Sequence, residues 1–335
     1  MTSEATSAAL PSGLRLRESG EADIDRVVTF RNRYATASQW QSPAAVRHME
    51  AASPEPNRLR FLIEDGAGAV VAFAMTGDGG VFRSPDGSWR VNVLVDKQWR
   101  HKGVGSALLA LVEPHAKRNG AKKLIAAVRG DDPDGLAFAK ARDYAQFHER
   151  IDAYIDVTKF DAAPFGDPDE TMRKVGIRLA TYGALMQEHA ADTEAFQRRM
   201  LPAIWAMARD VPAASPAPET PPPFEQAKRM FFEGPGIDAD TTILALRGDD
   251  IVGMSITAVK DNGTAYTNFT GVARAERGKG IALAMKLRAV AALKKRDIQL
   301  FGTTNDEQNA AMRGINRKLG YVPDAPTLMF EKKFA

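Results

Sequence analysis

The amino-acid sequence predicts an α/β protein, with mixed (α+β) sheets, built as two tandem copies of one supersecondary unit. Three observations lead there. First, one pattern is written twice at a constant offset of 177 positions: Val95, Arg100, Lys102, Gly103 and Gly105 recur as Val272, Arg277, Lys279, Gly280 and Ala282, and Asp143-Tyr144 recurs as Gly320-Tyr321. A register kept from residue 95 to residue 144 without net insertion marks a repeat. Second, both copies put glycines where a β-rich run gives way to an Ala/Leu-rich run, the strand–turn–helix order of a βαβ core. Third, each copy is preceded by two β-rich runs joined by a tight turn, Asp65-Gly66-Ala67-Gly68 or Arg247-Gly248-Asp249-Asp250, which adds antiparallel neighbours.

With 335 residues, 44% of them hydrophobic and 26% charged, the chain has material for two ordinary globular domains. The repeat places them at 1–160 and 168–335, divided by the segment from Phe160 to Asp169, which holds Pro164, Gly166 and Pro168. A net charge of +3 is too small to point to nucleic acid. The absence of cysteine excludes thiolate metal sites and a cysteine nucleophile. The histidines (His48, His101, His115, His148 and His189) show no ligand spacing, so no metal is expected. No run reaches the length of a membrane span, and the first residues lack a basic-then-apolar leader, so a cytoplasmic protein without a membrane partner is expected. Met1 to Ser12 is small and polar and reads as disordered.

In chain order, Leu14 to Glu18 reads as a strand, and Glu21 to Tyr34 as a helix with Ile24, Val27, Val28 and Phe30 on its apolar side. Arg60 to Glu64 and Ala69 to Met75 form the first hairpin. Trp89 to Val95 is the strand before the first glycine turn, and Gly105 to Ala116 the helix after it. Lys123 to Val128 is a strand, Gly135 to Arg142 a short helix, and Tyr144 to Thr158 two closing strands. The second copy repeats the order. Gly176 to Thr181 is a strand and Ala191 to Ala208 a helix, followed by six prolines between Val211 and Pro223. Thr242 to Leu246 and Ile251 to Val259 make the hairpin, and Ala265 to Val272 leads into the turn. Ala282 to Lys294 is helical, Ile298 to Gly302 a strand, Asn309 to Leu319 the short helix, and Tyr321 to Phe334 closes the sheet.

Glycines at a helix mouth let backbone amides approach an anion, which the helix dipole also favours, so a phosphate ligand is expected at both turns. Two common phosphate motifs fail on spacing. A P-loop requires Ser or Thr after its lysine, and Lys279 is followed by Gly280. A dinucleotide fingerprint requires a third glycine where this chain has Leu108 and Leu283. What remains is Arg-x-x-Gly-x-(Gly/Ala), with a valine five residues ahead of the arginine. The first copy runs from Val95 through Arg100-His101-Lys102-Gly103-Val104-Gly105-Ser106, the second from Val272 through Arg277-Gly278-Lys279-Gly280-Ile281-Ala282-Leu283.

This pattern resembles the acetyl-CoA loop of the Gcn5-related N-acetyltransferases (GNAT). The likeness extends along nearly the whole chain, since both halves follow that family's order of elements. It implies two tandem GNAT-like acyl-CoA N-acyltransferase domains, with acetyl-CoA as co-substrate. Amides from His101 to Ser106 and from Gly278 to Leu283 would cradle its diphosphate, and the strand ends Val93-Leu94-Val95 and Thr270-Gly271-Val272 would pair with its pantetheine arm. In the second copy Thr304, Asn305, Asn309, Met312, Asn316 and Leu319-Gly320-Tyr321 are similar to a run found in tandem acetyltransferases, the mycothiol synthases among them. By that resemblance Asn305 and Asn309 bond the CoA arm, although either also suits a helix cap. The first copy has Val128, Asp132, Gly135, Ala139 and Arg142-Asp143-Tyr144 at these places, so the first domain is expected to be degenerate and the second catalytic.

A protonated amine cannot attack a thioester until it loses a proton, so a base is needed. Many members of the family place a tyrosine on the last short helix to protonate the departing thiolate. Here Asn316 holds that position, and Ala139 in the first copy, which leaves Asn316 as a hydrogen-bond donor only. Base work falls to Glu233, Asp306, Glu307 or Asp96, or to a water held by Tyr266 or Asn268; Glu233 is carried into the expected site with Asn316. The proline-rich segment stands where the family places its acceptor-binding loop. The implied activity is transfer of an acetyl group from acetyl-CoA to a small-molecule amine by direct attack on the thioester, in a monomer or homodimer. The alternatives are a non-catalytic or regulatory acyl-CoA-binding module and a protein or peptide N-acetyltransferase. No residue set names the acceptor.

Overall fold

The structure, a computed structural model, describes residues 10–211, 219–306 and 309–334, and only the backbone of residues 305 and 306. In chain order it contains β1 (Arg15–Glu18), α1 (Ile24–Asn32), α2 (Pro43–Ala52), β2 (Leu59–Glu64), β3 (Val70–Gly77), β4 (Ser88–Val95), α3 (Val104–Arg118), β5 (Lys123–Arg129), α4 (Pro133–Lys140) and β6 (Ala145–Asp156). There follow α5 (Pro168–Arg173), β7 (Arg178–Thr181), α6 (Tyr182–Glu188), α7 (Thr193–Arg209), α8 (Phe224–Ala227), β8 (Ile243–Arg247), β9 (Asp250–Val259) and β10 (Thr264–Val272). The last elements are α9 (Ile281–Lys294), β11 (Leu300–Asp306), α10 (Ala310–Lys318), β12 (Val322–Pro323) and β13 (Thr327–Lys333). The class is the expected mixed α/β one. Two compact units divide the chain: Met1–Glu149 together with Thr327–Ala335, and Arg150–Pro326.

In the first unit β1 to β4 form an antiparallel meander, β4 runs parallel to β5, and β13 lies antiparallel on β5 from Thr327–Arg129 to Lys333–Lys123. One sheet face buries Ile63, Trp89, Val91, Leu124 and Phe330 against Val104, Leu108 and Val112 of α3, whose four-residue spacing makes a single apolar stripe. The other face buries Leu62, Val70 and Phe73 under Val27 and Phe30 of α1.

The second unit repeats the scheme. β7 to β10 are antiparallel, β10 runs parallel to β11, and the Arg150–Asp156 part of β6 pairs antiparallel with β11. Ala153, Ile155, Ala265 and Phe301 pack on the α9 side with Met285, Val290 and Leu293. Leu244, Met254 and Ile256 pack on the other side with Phe196, Met200 and Ile204 of α7.

Several expectations need correction. The two closing strands expected over Tyr144 to Thr158 are the single strand β6, because no Gly, Pro or Asn interrupts residues 145–156. Tyr321 to Phe334 does not close one sheet. Pro323 and Pro326 interrupt it, β12 pairs with β6 in the second unit, and β13 pairs with β5 in the first. The compact units therefore differ from the contiguous halves 1–160 and 168–335 by the exchange of a strand. Four helices answer to no expected one; α8 follows Pro223 without a side-chain cap, and local caps explain the other three. The Ser42 hydroxyl accepts from Ala45 N at 3.3 Å ahead of Pro43, and Thr181 accepts from Ala184 N at 3.1 Å. Asp167 accepts from Asp169 N at 2.8 Å, so Pro168 begins α5 where it had read as part of a boundary. Most of the expected disordered leader, and residues 212–218 of the proline-rich segment, lie outside the described residues.

Candidate active site

Each unit opens its sheet directly ahead of its glycine turn. β4 and β5 pair only over Ser88–Arg90 and Lys123–Ile125, and β10 and β11 only over Thr264–Thr267 and Leu300–Thr303. Beyond these points the parallel neighbours part, while the antiparallel partners β3 and β9 stay paired up to Val95 and Val272. The result is a cleft beside the strand ends Val93–Val95 and Thr270–Val272.

The motif spacing has a geometric cause. Arg100 Nε donates to Val95 O at 3.3 Å, and Arg277 Nε donates to Val272 O at 3.0 Å. Each bond folds the chain back onto the end of its own strand and aims the next residues into a helix. Gly103 (φ 80°) and Gly280 (φ 79°) hold left-handed backbone at the two helix mouths. The first intrahelical bonds are Ala107 N to Gly103 O and Ala284 N to Gly280 O. The amides of Val104 to Ser106 and of Ile281 to Leu283 thus lack intrahelical acceptors. With the dipole behind them they form an anion cradle, and a Cβ at Gly103 or Gly278 would meet nothing within 4 Å. Both glycine turns thus stand at a helix mouth, with open space beside Gly103 and Gly278.

The two mouths differ. In the first, α4 closes on the turn: Arg100 bonds Asp132 at 2.8 Å and Asp134 at 3.3 Å, His101 reaches Asp134 at 3.1 Å, and Arg142 donates to the Ser106 hydroxyl. A Cβ on Gly105 would lie 2.9 Å from the Phe138 ring. His101 holds a left-handed conformation (φ 59°) where the second copy has Gly278 (φ 80°). In the second, Arg274 and Arg277 pair instead with Asp210 at the end of α7, and their hydrogen bonds hold that carboxyl down at about 2. The lysines are engaged sideways, Lys102 over the Trp99 ring and Lys279 with Glu276 at 2.8 Å. Of the two strands that lead into the turns, only β10 carries a bulge, at Asn268 between Thr267 and Phe269, where Asn268 donates to Gly236 O at 2.7 Å. A bulge re-aims the strand at the point where the sheet opens.

The remaining expected residues are more scattered. Asn309 is the N-cap of α10, its Oδ1 accepting from Met312 N at 3.1 Å. Asn305 lies on β11 opposite Ile151, and its side chain, like those of Asp306 and Glu307, lies outside the described residues. Asn316 is 3% exposed on α10, and neither amide atom finds a partner among the described residues. Glu233 is exposed and 3.5 Å from Lys228. Lys286 of α9 is fully buried, its Nζ without a hydrogen-bond partner among the described residues and over the rings of Tyr321 (5.1 Å) and Phe301 (5.8 Å), and burial lowers its amine to about 7.

One group went unassigned from sequence. On the sheet face away from α9, the buried Asp152 carboxylate accepts from Tyr266 OH at 3.2 Å, from the Thr304 hydroxyl and, at 3.5 Å, from Tyr154 OH. The signal was the alternation Asp152-Ala153-Tyr154-Ile155, whose apolar members enter the core while its polar members share the opposite face. Among the described residues no cluster of metal-binding side chains occurs, and no helix is long and apolar enough to cross a membrane.

No curated protein sequence matches the chain. A GCN5-related N-acetyltransferase from Sphaerobacter thermophilus superposes with a TM-score of 0.69 at 18% identity, over 97% of this chain and 97% of that one. A tandem GNAT protein from the clavulanic acid biosynthesis pathway gives 0.66 at 17%, over 96% and 98%. At these identities the likeness is one of fold. The family model for the acetyltransferase (GNAT) family matches twice, over residues 26–144 and 204–321, and each match contains one glycine turn with its opened sheet. The chain belongs to the GNAT acetyltransferase family, and it carries that family's unit in tandem.

Proposed function

We propose that this protein is an acetyl-CoA-dependent N-acetyltransferase that works through its second unit and acetylates a small-molecule amine by direct attack on the thioester. The observation that carries the reading is the parting of β10 from β11 beside the Asn268 bulge, leading straight to the open mouth of α9. An extended acyl-pantetheine arm suits that cleft, with the edge of Thr270 to Val272 as its partner and the amides of Gly278 to Leu283 for the diphosphate. Asn316, buried and with its amide unpartnered among the described residues, is the donor assigned to the leaving sulfur, and Asn305 and Asn309 are assigned to the arm. The first unit offers Val93 to Val95 and His101 to Ser106 for a second CoA molecule. Ala139 cannot serve a leaving thiolate, so that unit is read as binding without turnover. The co-substrate is a cytoplasmic metabolite, and the enzyme is placed there with it.

The test is release of free CoA thiol from acetyl-CoA with a panel of amines, together with calorimetric titration of acetyl-CoA. Gly280→Val should abolish release, since a β-branched residue there is strained and fills the cradle, whereas Gly103→Val should retain most of it. Equal loss in both variants would remove the asymmetry between the units. No heat with acetyl-CoA would remove the transferase reading.

A further inference from the structure

We propose that Asp152, from a strand that precedes the second repeat, receives the acceptor's ammonium group and takes its proton. This rests on the transferase reading and deepens it, naming the acceptor class as a primary amine that arrives protonated.

Three observations carry the proposal. The first is position. Thr304, which donates to Asp152, is the β11 residue immediately past the last pair with β10, so the carboxylate lies where the sheet begins to open. The bulge at Asn268 is four residues ahead of Val272, about 13 Å at the rise of an extended strand, and an extended pantetheine arm spans such a distance from the helix mouth.

The second is the wall of the site. Tyr154 and Tyr266 flank Gly302, where a Cβ would lie 2.5 Å from the Tyr154 ring and 2.7 Å from the Tyr266 ring. A buried carboxylate held by the hydroxyls of two neighbouring aromatic rings is a cation-recognising set. The protein already uses one of these rings that way, with Lys260 Nζ 5.3 Å from the Tyr266 ring centroid. The apolar cluster under α7 takes no member from β11 or from residues 150–156, among the described residues.

The third is the contrast with the first unit. Thr304 pairs with Asp152 and Gly302 follows the wholly buried Phe301; the matching positions on β5 are Ala127, paired with Met329, and Ile125 after the wholly buried Leu124. Tyr266 pairs with Gly302 as Arg90 pairs with Ile125. The first unit therefore has Met329, Ala127 and Arg90 where the second has carboxylate, hydroxyl and phenol.

The groups facing Asp152 include, among the described residues, Tyr266 from β10, Thr304 from β11, Tyr154 from β6 and Lys260 at the end of β9, while Asp324 N donates to its backbone carbonyl at 2.8 Å. Burial lowers the Lys260 amine to about 8, and burial drives the Tyr266 hydroxyl upward, so the phenol stays a donor through the neutral range. In the step, Asp152 takes one proton from the ammonium. The freed lone pair forms the C–N bond at the thioester carbonyl, and the C–S bond breaks with its electrons on sulfur. Of the ammonium's protons one stays on the amide, one ends on the thiol, and the one taken by Asp152 leaves to solvent.

The experiment compares Asp152→Asn with wild type, using aminoacetonitrile, glucosamine and ethanolamine in order of rising basicity. Acetyl-CoA binding by calorimetry should be unchanged. At pH 7 kcat/KM for ethanolamine should fall about 100-fold or more, the scale of a lost general base. The loss for aminoacetonitrile, which is already unprotonated, should be under tenfold, roughly. Tyr266→Phe, should the first variant fold poorly, removes a donor to the carboxylate and should lower kcat/KM more for ethanolamine than for aminoacetonitrile, with acetyl-CoA binding unchanged. Equal losses across the amines in these variants overturn the proposal. Acetyl-CoA heat in wild type without thiol release from any of these amines overturns it too, while absent heat overturns the transferase reading beneath it.

Discussion

At the residue scale, Lys286 has the clearest consequence for stability. Its amine is driven down to about 7 by burial, and two aromatic faces lie beside the charge. The folded state therefore holds this proton less tightly than the unfolded chain, whose lysine titrates at 10.5. The contribution of this group to stability is greatest above 10.5, declines as pH falls toward 7, and changes no further below that. Lys286→Met should remove the dependence, so its gain in urea midpoint over wild type should be larger at pH 7 than at pH 10. An equal gain at both would show that this amine does not titrate on unfolding. Gly302 makes the complementary point, since its missing side chain separates two rings. Gly302→Ala should destabilise the protein by about 1–3 kcal/mol, the usual cost of overpacking, and should raise KM for the amine more than for acetyl-CoA.

At the scale of elements, α10 separates a cap from a ligand contact. Asn309→Ala deletes the acceptor for Met312 N and should cost about 1 kcal/mol, read as a lower melting temperature. Asn309→Asp keeps that acceptor and loses the amide donor, so a rise in KM for acetyl-CoA with unchanged stability would place Asn309 on the arm. The turns that mattered were legible in the sequence because their spacing is enforced locally, by the Arg100–Val95 and Arg277–Val272 bonds. The strands ahead of them were legible through alternation. What escaped was non-local or short. The helices α2, α5 and α6 run for 10, 6 and 7 residues, and each starts at a capped position that composition alone reads as a loop. The bulge at Asn268 adds a residue to β10 that only its pairing with β9 reveals. Asp152 escaped because its partners Tyr266 and Thr304 are more than a hundred positions away, and side-chain alternation gives the face of a strand but never its neighbour.

At the scale of the whole molecule, the strands of each unit are completed by one from the other half of the sequence. Phe330 is fully buried in the first unit's core beside Leu124 and Trp89. Phe330→Ala should therefore cost about 3–5 kcal/mol, and hydrogen exchange should show the loss in β4, β5 and α3 rather than in β8 to β10. Exchange spreading equally through both units would contradict that division. A fragment beginning at residue 168 would lack the strand that pairs with β11 and carry β13 with no β5 to receive it. The same exchange has a consequence for birth on the ribosome. Every residue of the second unit has been synthesised before Thr327 is added, whereas the first must wait for Thr327–Lys333 to emerge before β5 gains its antiparallel partner. Translation therefore completes the sequence of the earlier-encoded unit last, the opposite of the usual amino-terminal-first order of synthesis.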